Sequence, residues 1–254
     1  VILTFNQLEF TQKCVQSIQR HTPGKYELIF VDNGSTDGTK RWFRKQIKGN
    51  HNYRFIENKT NLGFAKGCNQ GIAAARGEYL LLLNNDAVVT PNWLSDMREC
   101  LNRNANIGIV GPMTNQISGI QKIPEASYSS INNLDEFARS FREKYRHRQI
   151  PSRRVVGFCM LFKRELIERM GLLDESFGTG NFEDDEFCLR AELEGYSNMI
   201  AGDVFIHHYG SQSFIGNQID YRSSMSGNRK IFSQKWNGFD WTSLAGRKLL
   251  SLKE

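Results

Sequence analysis

The strongest constraint on this chain is the alternation in its first hundred or so residues. Short apolar runs at 1–5, 27–31, 53–57 and 79–83 are separated by helical patterns at about 10–20, 36–47 and 64–75. Strand and helix alternating at this spacing imply parallel strands joined by right-handed crossovers. Tyr79-Leu80-Leu81-Leu82-Leu83 is apolar on both faces, as suits a strand at the centre of such a sheet. The spacing predicts an α/β fold with a Rossmann-like, mostly parallel central sheet flanked by helices.

Open sheets of this kind take ligands beyond the carboxyl ends of their strands. Four polar segments occupy those positions: Thr4-Phe5-Asn6, Asp32-Asn33-Gly34-Ser35, residues 58–63 and Asn84-Asn85-Asp86. The absence of a GxGxxG pattern argues against a dinucleotide fold. A carboxylate at Asp86 faces the expected cleft and suits Mg²⁺ or Mn²⁺ held jointly with substrate phosphates. A turn or helix cap is the plainer role for such a residue.

Further along, a helix is expected from Pro91 to about residue 102, a strand at 107–110 and irregular chain over 112–130. Helices follow at 132–146 and 165–170, strands at 155–163 and 198–206, and a last helix at 221–236. Glu183-Asp184-Asp185-Glu186 is the densest acidic cluster; it follows Gly178-Thr179-Gly180-Asn181 and opens a helix. Leu189, Leu193 and Tyr196 would share one face of that helix, and Glu186 and Arg190 form an i,i+4 pair. Acids at a helix N-terminus stabilise the dipole, and the dipole favours the ionised carboxylate that a general base requires. His207-His208-Tyr209-Gly210-Ser211 follows a strand-like run, and one imidazole there could complete a metal site.

Composition sets outer limits. The net charge of +6 suits a polyanionic ligand. Much of the excess lies in Arg139, Arg142, Lys144, Arg146, Arg148, Arg153 and Arg154, opposed locally by Glu143. That segment reads as a solvated helix face and loop, or as a contact to phosphate, to an anionic acceptor or to a membrane surface. Nucleic acid is not expected as a partner, because Phe141 and Tyr145 are the only aromatics interleaved with these charges. No run reaches the roughly eighteen apolar residues of a membrane helix. The five cysteines are widely spaced with no CxxC pair, which predicts buried, reduced thiols and a cytoplasmic location, with peripheral association at the inner membrane face.

Taken in order, these segments resemble the family 2 glycosyltransferases of the GT-A fold over about residues 1–215. The matching motifs are Thr4-Phe5-Asn6, Val31 through Thr39, Asn61-Leu62-Gly63-Phe64-Ala65-Lys66-Gly67-Cys68-Asn69, Leu82-Leu83-Asn84-Asn85-Asp86, Gly171 through Phe177, Glu183-Asp184 and His208-Tyr209-Gly210-Ser211. The Asp-Asn-Gly-Ser-Thr style resembles bacterial rhamnosyltransferases. The resemblance implies that Thr4, Phe5 and Asn6 line the nucleotide and that Asp32 or Asn33 reads the base. Asn61, Gly63, Lys66 and Asn69 would shape the base and ribose side. Asn85 and Asp86 match the last two positions of an Asp-x-Asp motif, with Asp86 the metal ligand. Asp184, beside Glu183, would be the catalytic base, and His208 a further metal or diphosphate contact, with His207 as a substitute. Asn84 and Asn85 depart from the carboxylates of that motif, so the metal is expected to arrive with the nucleotide.

The implied reaction is inverting transfer of a hexosyl or deoxyhexosyl group from a UDP-, dTDP- or GDP-sugar to a hydroxyl acceptor on a glycan, lipid-linked glycan or protein, with Mn²⁺ or Mg²⁺ as cofactor. A nucleotidyltransferase and a nucleotide-binding pseudo-enzyme are the alternatives. The chain is expected to be one glycosyltransferase domain. Residues 1–110 would bind the sugar nucleotide, 111–215 would form the acceptor and catalytic half, and 216–254 a helical tail.

Overall fold

The computed structural model describes residues 1–124, 126–210, 212, 216–217 and 220–237. Its first half is the expected alternation: β1 (Ile2–Thr4), α1 (Leu8–His21), β2 (Leu28–Asp32), α2 (Thr39–Gln46), β3 (Tyr53–Glu57), α3 (Phe64–Ala74) and β4 (Tyr79–Asn84). These four strands lie in the order β3-β2-β1-β4, all parallel. Then come β5 (Ala87–Val88), α4 (Trp93–Asn102), β6 (Ile107–Thr114), α5 (Leu134–Lys144), β7 (Gln149–Pro151), β8 (Cys159–Lys163), α6 (Arg164–Met170), α7 (Glu183–Leu193), β9 (Ser197–His208) and α8 (Tyr221–Lys235).

Parallel pairing is confined mainly to the first half. Beyond β4 the order continues β8-β6-β9-β5, and β4–β8, β8–β6, β9–β5 and β9–β7 are antiparallel, while β6–β9 is parallel. The sheet is therefore mixed, with β4 at the junction. Alternation along the strands sends apolar side chains to both faces. Leu83, Cys159, Leu161 and Val110 meet α1, α2 and α4 on one face. Leu80, Leu82, Met160, Phe162 and Ile109 meet α3, α6 and α7 on the other. A third cluster packs Phe141 of α5 against Phe205 and Ile200 of β9.

Several boundaries differ from the sequence reading for local reasons. The strand expected from 155 begins at Cys159 because three successive N–H groups are donated to side chains: Val155 to Cys188 Sγ, Val156 to Gln121 Oε1 and Gly157 to Asp184 Oδ2. The helix expected from 36 begins at Thr39, since Asp37 Oδ1 holds the Thr39 N–H and Gly38 is left-handed at φ 97°. Pro91 stands before α4 rather than in its first turn, because Asn92 is left-handed at φ 64°. Tyr196 lies outside α7, which Gly195 (φ 88°) turns away. The 221–236 expectation corresponds to α8, Ser211 lies outside the described residues, and so do the final residues after Trp241.

The two halves of the fold meet through backbone at Gly63. Phe64 N–H donates to Gly178 O at 3.1 Å, and a Cβ on Gly63 would overlap that carbonyl. Gly63 also has φ 90°, which disfavours any side chain. Gly63→Ala is therefore expected to lower unfolding free energy by about 2 kcal/mol or more in urea denaturation. A loss under about 0.5 kcal/mol, typical of a surface change, would contradict this close approach.

Candidate active site

The carboxyl ends of β1, β2 and β4 open onto a cleft of about 660 Å³. Its walls include Thr4, Phe5, Asn33, Asn61, Gly63, Asn85, Asp86, Glu183, Asp184 and His208. Ten of the fourteen candidate residues thus converge from six separate stretches of sequence. Asn6, Asp32, Lys66 and Asn69 do not line it.

The β1 and β2 ends are built as interlocked turns. Asp32 is fully buried, and its Oδ2 accepts the N–H groups of Gly34 and Ser35 at 3.0 and 2.9 Å. Asn33 Nδ2 donates to Asn61 Oδ1 and to Gly63 O, so the second and third polar ends are tied together. Asn6 is left-handed at φ 57°; its N–H donates to Ser35 Oγ and its Oδ1 accepts the Thr36 N–H. Asn69 clamps the chain two ways, donating to Leu173 O at 2.9 Å and accepting its N–H at 3.1 Å. Lys66 is half exposed, 3.9 Å from Glu175. Of these residues, Asp32 and Asn69 hold the frame of the site.

At the end of β4, Asn85 Nδ2 donates to Thr11 Oγ1 of α1, while Asp86 turns into the cleft. Asp86 Oδ1 stands 3.1 Å from His208 Nε2, and neither atom has an aligned hydrogen-bond partner although both are buried. Asp86 Oδ2 accepts the Gln212 N–H at 3.2 Å. His208 stacks on Phe158 and its Nδ1 meets Gln116 O at 2.8 Å. That contact places a proton on Nδ1, so Nε2 faces Asp86 as an N–H in the charged ring and as a lone pair in the neutral one. Burial raises the Asp86 carboxyl, but His208 beside it outweighs burial and holds it below the usual range. Burial lowers His208, and Asp86 outweighs that and raises it.

Alternation along β9 separates the two histidines. His207 points to the opposite face, where its Nδ1 meets Tyr128 Oη and its ring lies edge-on to Tyr128 and Tyr209. Burial first, then His208, pushes its pKa down to about 4. Among the described residues no group of three or more His, Cys, Asp or Glu could hold a metal. The Asp86–His208 pair nevertheless fits a cation completed by substrate phosphates. It offers a carboxylate oxygen and an imidazole nitrogen, buried, adjacent and unaligned with each other.

The acidic cluster comes from the first turn of α7. Asn181 and Phe182 precede it with φ 80° and 75°, and Gly178 and Gly180 are also left-handed. This tight approach aims the helix N-terminus into the cleft. Asp184 is buried; its Oδ2 accepts the Gly157 N–H at 2.9 Å and its Oδ1 accepts the Asp185 N–H at 3.0 Å. Arg154 lies alongside, 4.0 Å from Asp184 and 3.1 Å from Asp185. Burial, then the charge on Asp184, pushes Asp185 up to about 7. The same two causes raise Glu183 well above the usual range, and its Oε2 is buried without a hydrogen bond. Glu186 turns away from the cleft to Arg190 and Lys235.

Sequence reading missed several cleft residues. Gly157 sits inside an apolar run, where a glycine signals close approach of backbone. Arg154 was visible only as one charge among seven. Tyr221, Met225 and Arg229 of α8 also line the cleft. Asn228 on that helix donates to the carbonyls of Phe177, Gly180 and Asn181, pinning the loop that carries α7. No local signal in the tail marks this role.

The five cysteines are buried and unpaired, as expected, and no helix among the described residues is long and apolar enough to cross a membrane. Comparison with known proteins bears on this fold and cleft. AglE of Haloferax volcanii, a glycosyltransferase by name, is 27% identical over 82% of this chain. The chain spans 65% of AglE and as little as 24% of other curated relatives. The crystal structure of GalNAc-T7 with UDP, GalNAc and Mn²⁺ superposes with TM-score 0.65 at 17% identity, covering 82% of this chain and 42% of that one. The mannosyltransferase PcManGT of Pyrobaculum calidifontis, in complex with GDP-Man and Mn²⁺, gives 0.61 at 19%, covering 86% and 63%. The fold shared with these structures is the GT-A fold. The profile of glycosyl transferase family 2 matches residues 1–171, which contain the β1, β2 and β4 ends of the cleft, and the chain belongs to that family.

Proposed function

We propose that this chain is an inverting glycosyltransferase that moves a sugar from a nucleoside-diphosphate sugar to a hydroxyl acceptor. One observation carries the reading: the Asp86–His208 pair and the Asp184 carboxylate line the same cleft from opposite halves of the fold. Family membership and relatives named as glycosyltransferases support it. Thr4, Phe5, Asn33, Asn61 and Gly63 offer the nucleoside side of that cleft, with Asn33 better placed than Asp32 to meet a base. Asn85 supports the β4 end through Thr11.

In the proposed step, Asp184 takes the proton of the acceptor hydroxyl. The acceptor oxygen attacks the anomeric carbon, and the bond to the diphosphate oxygen breaks, its electron pair leaving with the nucleoside diphosphate. Gly157 N–H and the start of α7 orient Asp184 for this task. Asp86 and His208 would hold Mn²⁺ or Mg²⁺, which when bound neutralises charge on the leaving diphosphate. Both neighbouring structures named above carry Mn²⁺, in one case with UDP and in the other with GDP-Man. The reading extends to donor binding over about 1–110, acceptor and catalytic chemistry over 111–215, and a C-terminal helical tail from 216 whose α8 lines the cleft. Its setting would be cell-surface polysaccharide or glycoconjugate synthesis at the cytoplasmic side of a membrane.

A thermal-shift screen of UDP-, dTDP- and GDP-sugars with and without Mn²⁺ identifies the donor, since a ligand of the native state raises its stability. Asp184→Asn is expected to lower transfer about 10²- to 10⁴-fold while nucleotide binding persists. Transfer near the wild-type rate would reject Asp184 as the base. Asp86→Ala is expected to abolish the Mn²⁺-dependent part of nucleotide binding in calorimetry. Equal binding with and without a chelator in both proteins would reject the metal role.

A further inference from the structure

A second cavity of about 390 Å³ shares Ser118, Arg154 and Val156 with the main cleft. The remainder of its wall includes Ile120, Pro151 and Arg153, and no carboxylate among the described residues lines it. Arg154 forms the partition. One side of its guanidinium faces Asp184 and Asp185, and Nη1 donates to Ser118 Oγ at 3.0 Å on the other.

The basic segment that the fold left without a role leads to this cavity. Arg142 is taken by Asp96, and Arg148 and Lys144 lie over the Tyr145 ring. Arg153 is exposed and makes no ion pair with any described residue. Ile120 is 57% exposed, the most exposed of the large hydrophobic residues among those described. An arginine with no counter-ion among the described residues, beside an exposed apolar side chain, matches an anion that carries an apolar substituent. Arginine recognises phosphate oxygens through paired, charge-assisted hydrogen bonds.

We propose that this cavity is a subsite for an acceptor that carries, besides its reacting hydroxyl, a phosphate and an apolar group, with Arg153 on the phosphate and Ile120 on the apolar group. The inference rests on the glycosyltransferase reading for the word acceptor, but its binding chemistry stands on this cavity alone. The geometry explains how a charged acceptor could approach Asp184: the Arg154 partition screens the acidic turn of α7 from the anion.

The test is calorimetry on the full chain in EDTA, with hexyl phosphate, inorganic phosphate and hexyl glucoside as probes. Wild-type protein is expected to bind hexyl phosphate more tightly than inorganic phosphate, and hexyl glucoside least. Arg153→Gln should weaken hexyl phosphate about tenfold, as expected for one lost charge-assisted contact. Ile120→Ser should weaken hexyl phosphate and leave inorganic phosphate unchanged. Both side chains are exposed, so melting temperatures should match wild type, and binding of the sugar nucleotide should be unaffected. Inorganic phosphate binding as tightly as hexyl phosphate would overturn the apolar half of the subsite. Hexyl phosphate binding within about twofold of wild type in Arg153→Gln, or no binding at all, would overturn the subsite itself. Donor binding measured in parallel keeps the two readings apart: its absence counts against glycosyl transfer and leaves the hexyl phosphate result decisive for the cavity.

Discussion

The placement of β4 is the constraint on which the site depends. It pairs in parallel with β1 and antiparallel with β8, and its side chains are packed from both faces. A strand so enclosed has little freedom of register, because a slip of one residue would exchange its two faces. Its end therefore delivers Asp86 to a fixed point. The β5 segment directly after it pairs with the end of β9, with Ala87 opposite His208, and so sets the histidine beside the carboxylate. The antiparallel partner β8 brings Gly157 just ahead of its first residue, and Gly157 orients Asp184. Three separate parts of the chain acquire their relative positions from one strand.

The electrostatics of α7 follow from where that helix is forced to start. Four acids crowd its first turn, yet they have different surroundings. Glu186 is neutralised by Arg190 and Lys235 outside the cleft. Glu183 and Asp185 are raised by burial and by the charge of Asp184 between them. Asp184 collects two N–H donors and the proximity of Arg154. The cluster is thus one oriented carboxylate between two neighbours that burial raises above the usual carboxylate range, and this arrangement supports the proposed role of Asp184 beyond a favourable dipole interaction.

The alternation of the first half was legible because each strand is a short apolar run closed by a turn residue, and local chemistry decides such elements. The second half was less so. β5 and β7 have two and three residues, too few for a period to register. The antiparallel direction of β8 is a property of the path taken, not of Cys159-Met160-Leu161-Phe162-Lys163 itself. Within the site, Asp86, Asp184 and His208 were legible as charges at element ends. Asp32 and Asn69 were legible as polar groups, but their partners are backbone groups far along the chain or around a turn, so their contacts could be learned only from the fold. Arg154 and Asn228 were hidden for the same reason: what matters is which carboxylates and carbonyls they reach.

In the proposed reaction the two halves of the cleft act on one bound molecule. The most direct measurement is a crystal structure of the chain with Mn²⁺ and the sugar nucleotide selected by stability screening, with the metal located by its anomalous scattering. The expected map places Mn²⁺ in contact with Asp86 and His208, and the anomeric carbon of the donor on the side facing Asp184. Metal or donor bound away from that pair, or an anomeric carbon turned from Asp184, would contradict it.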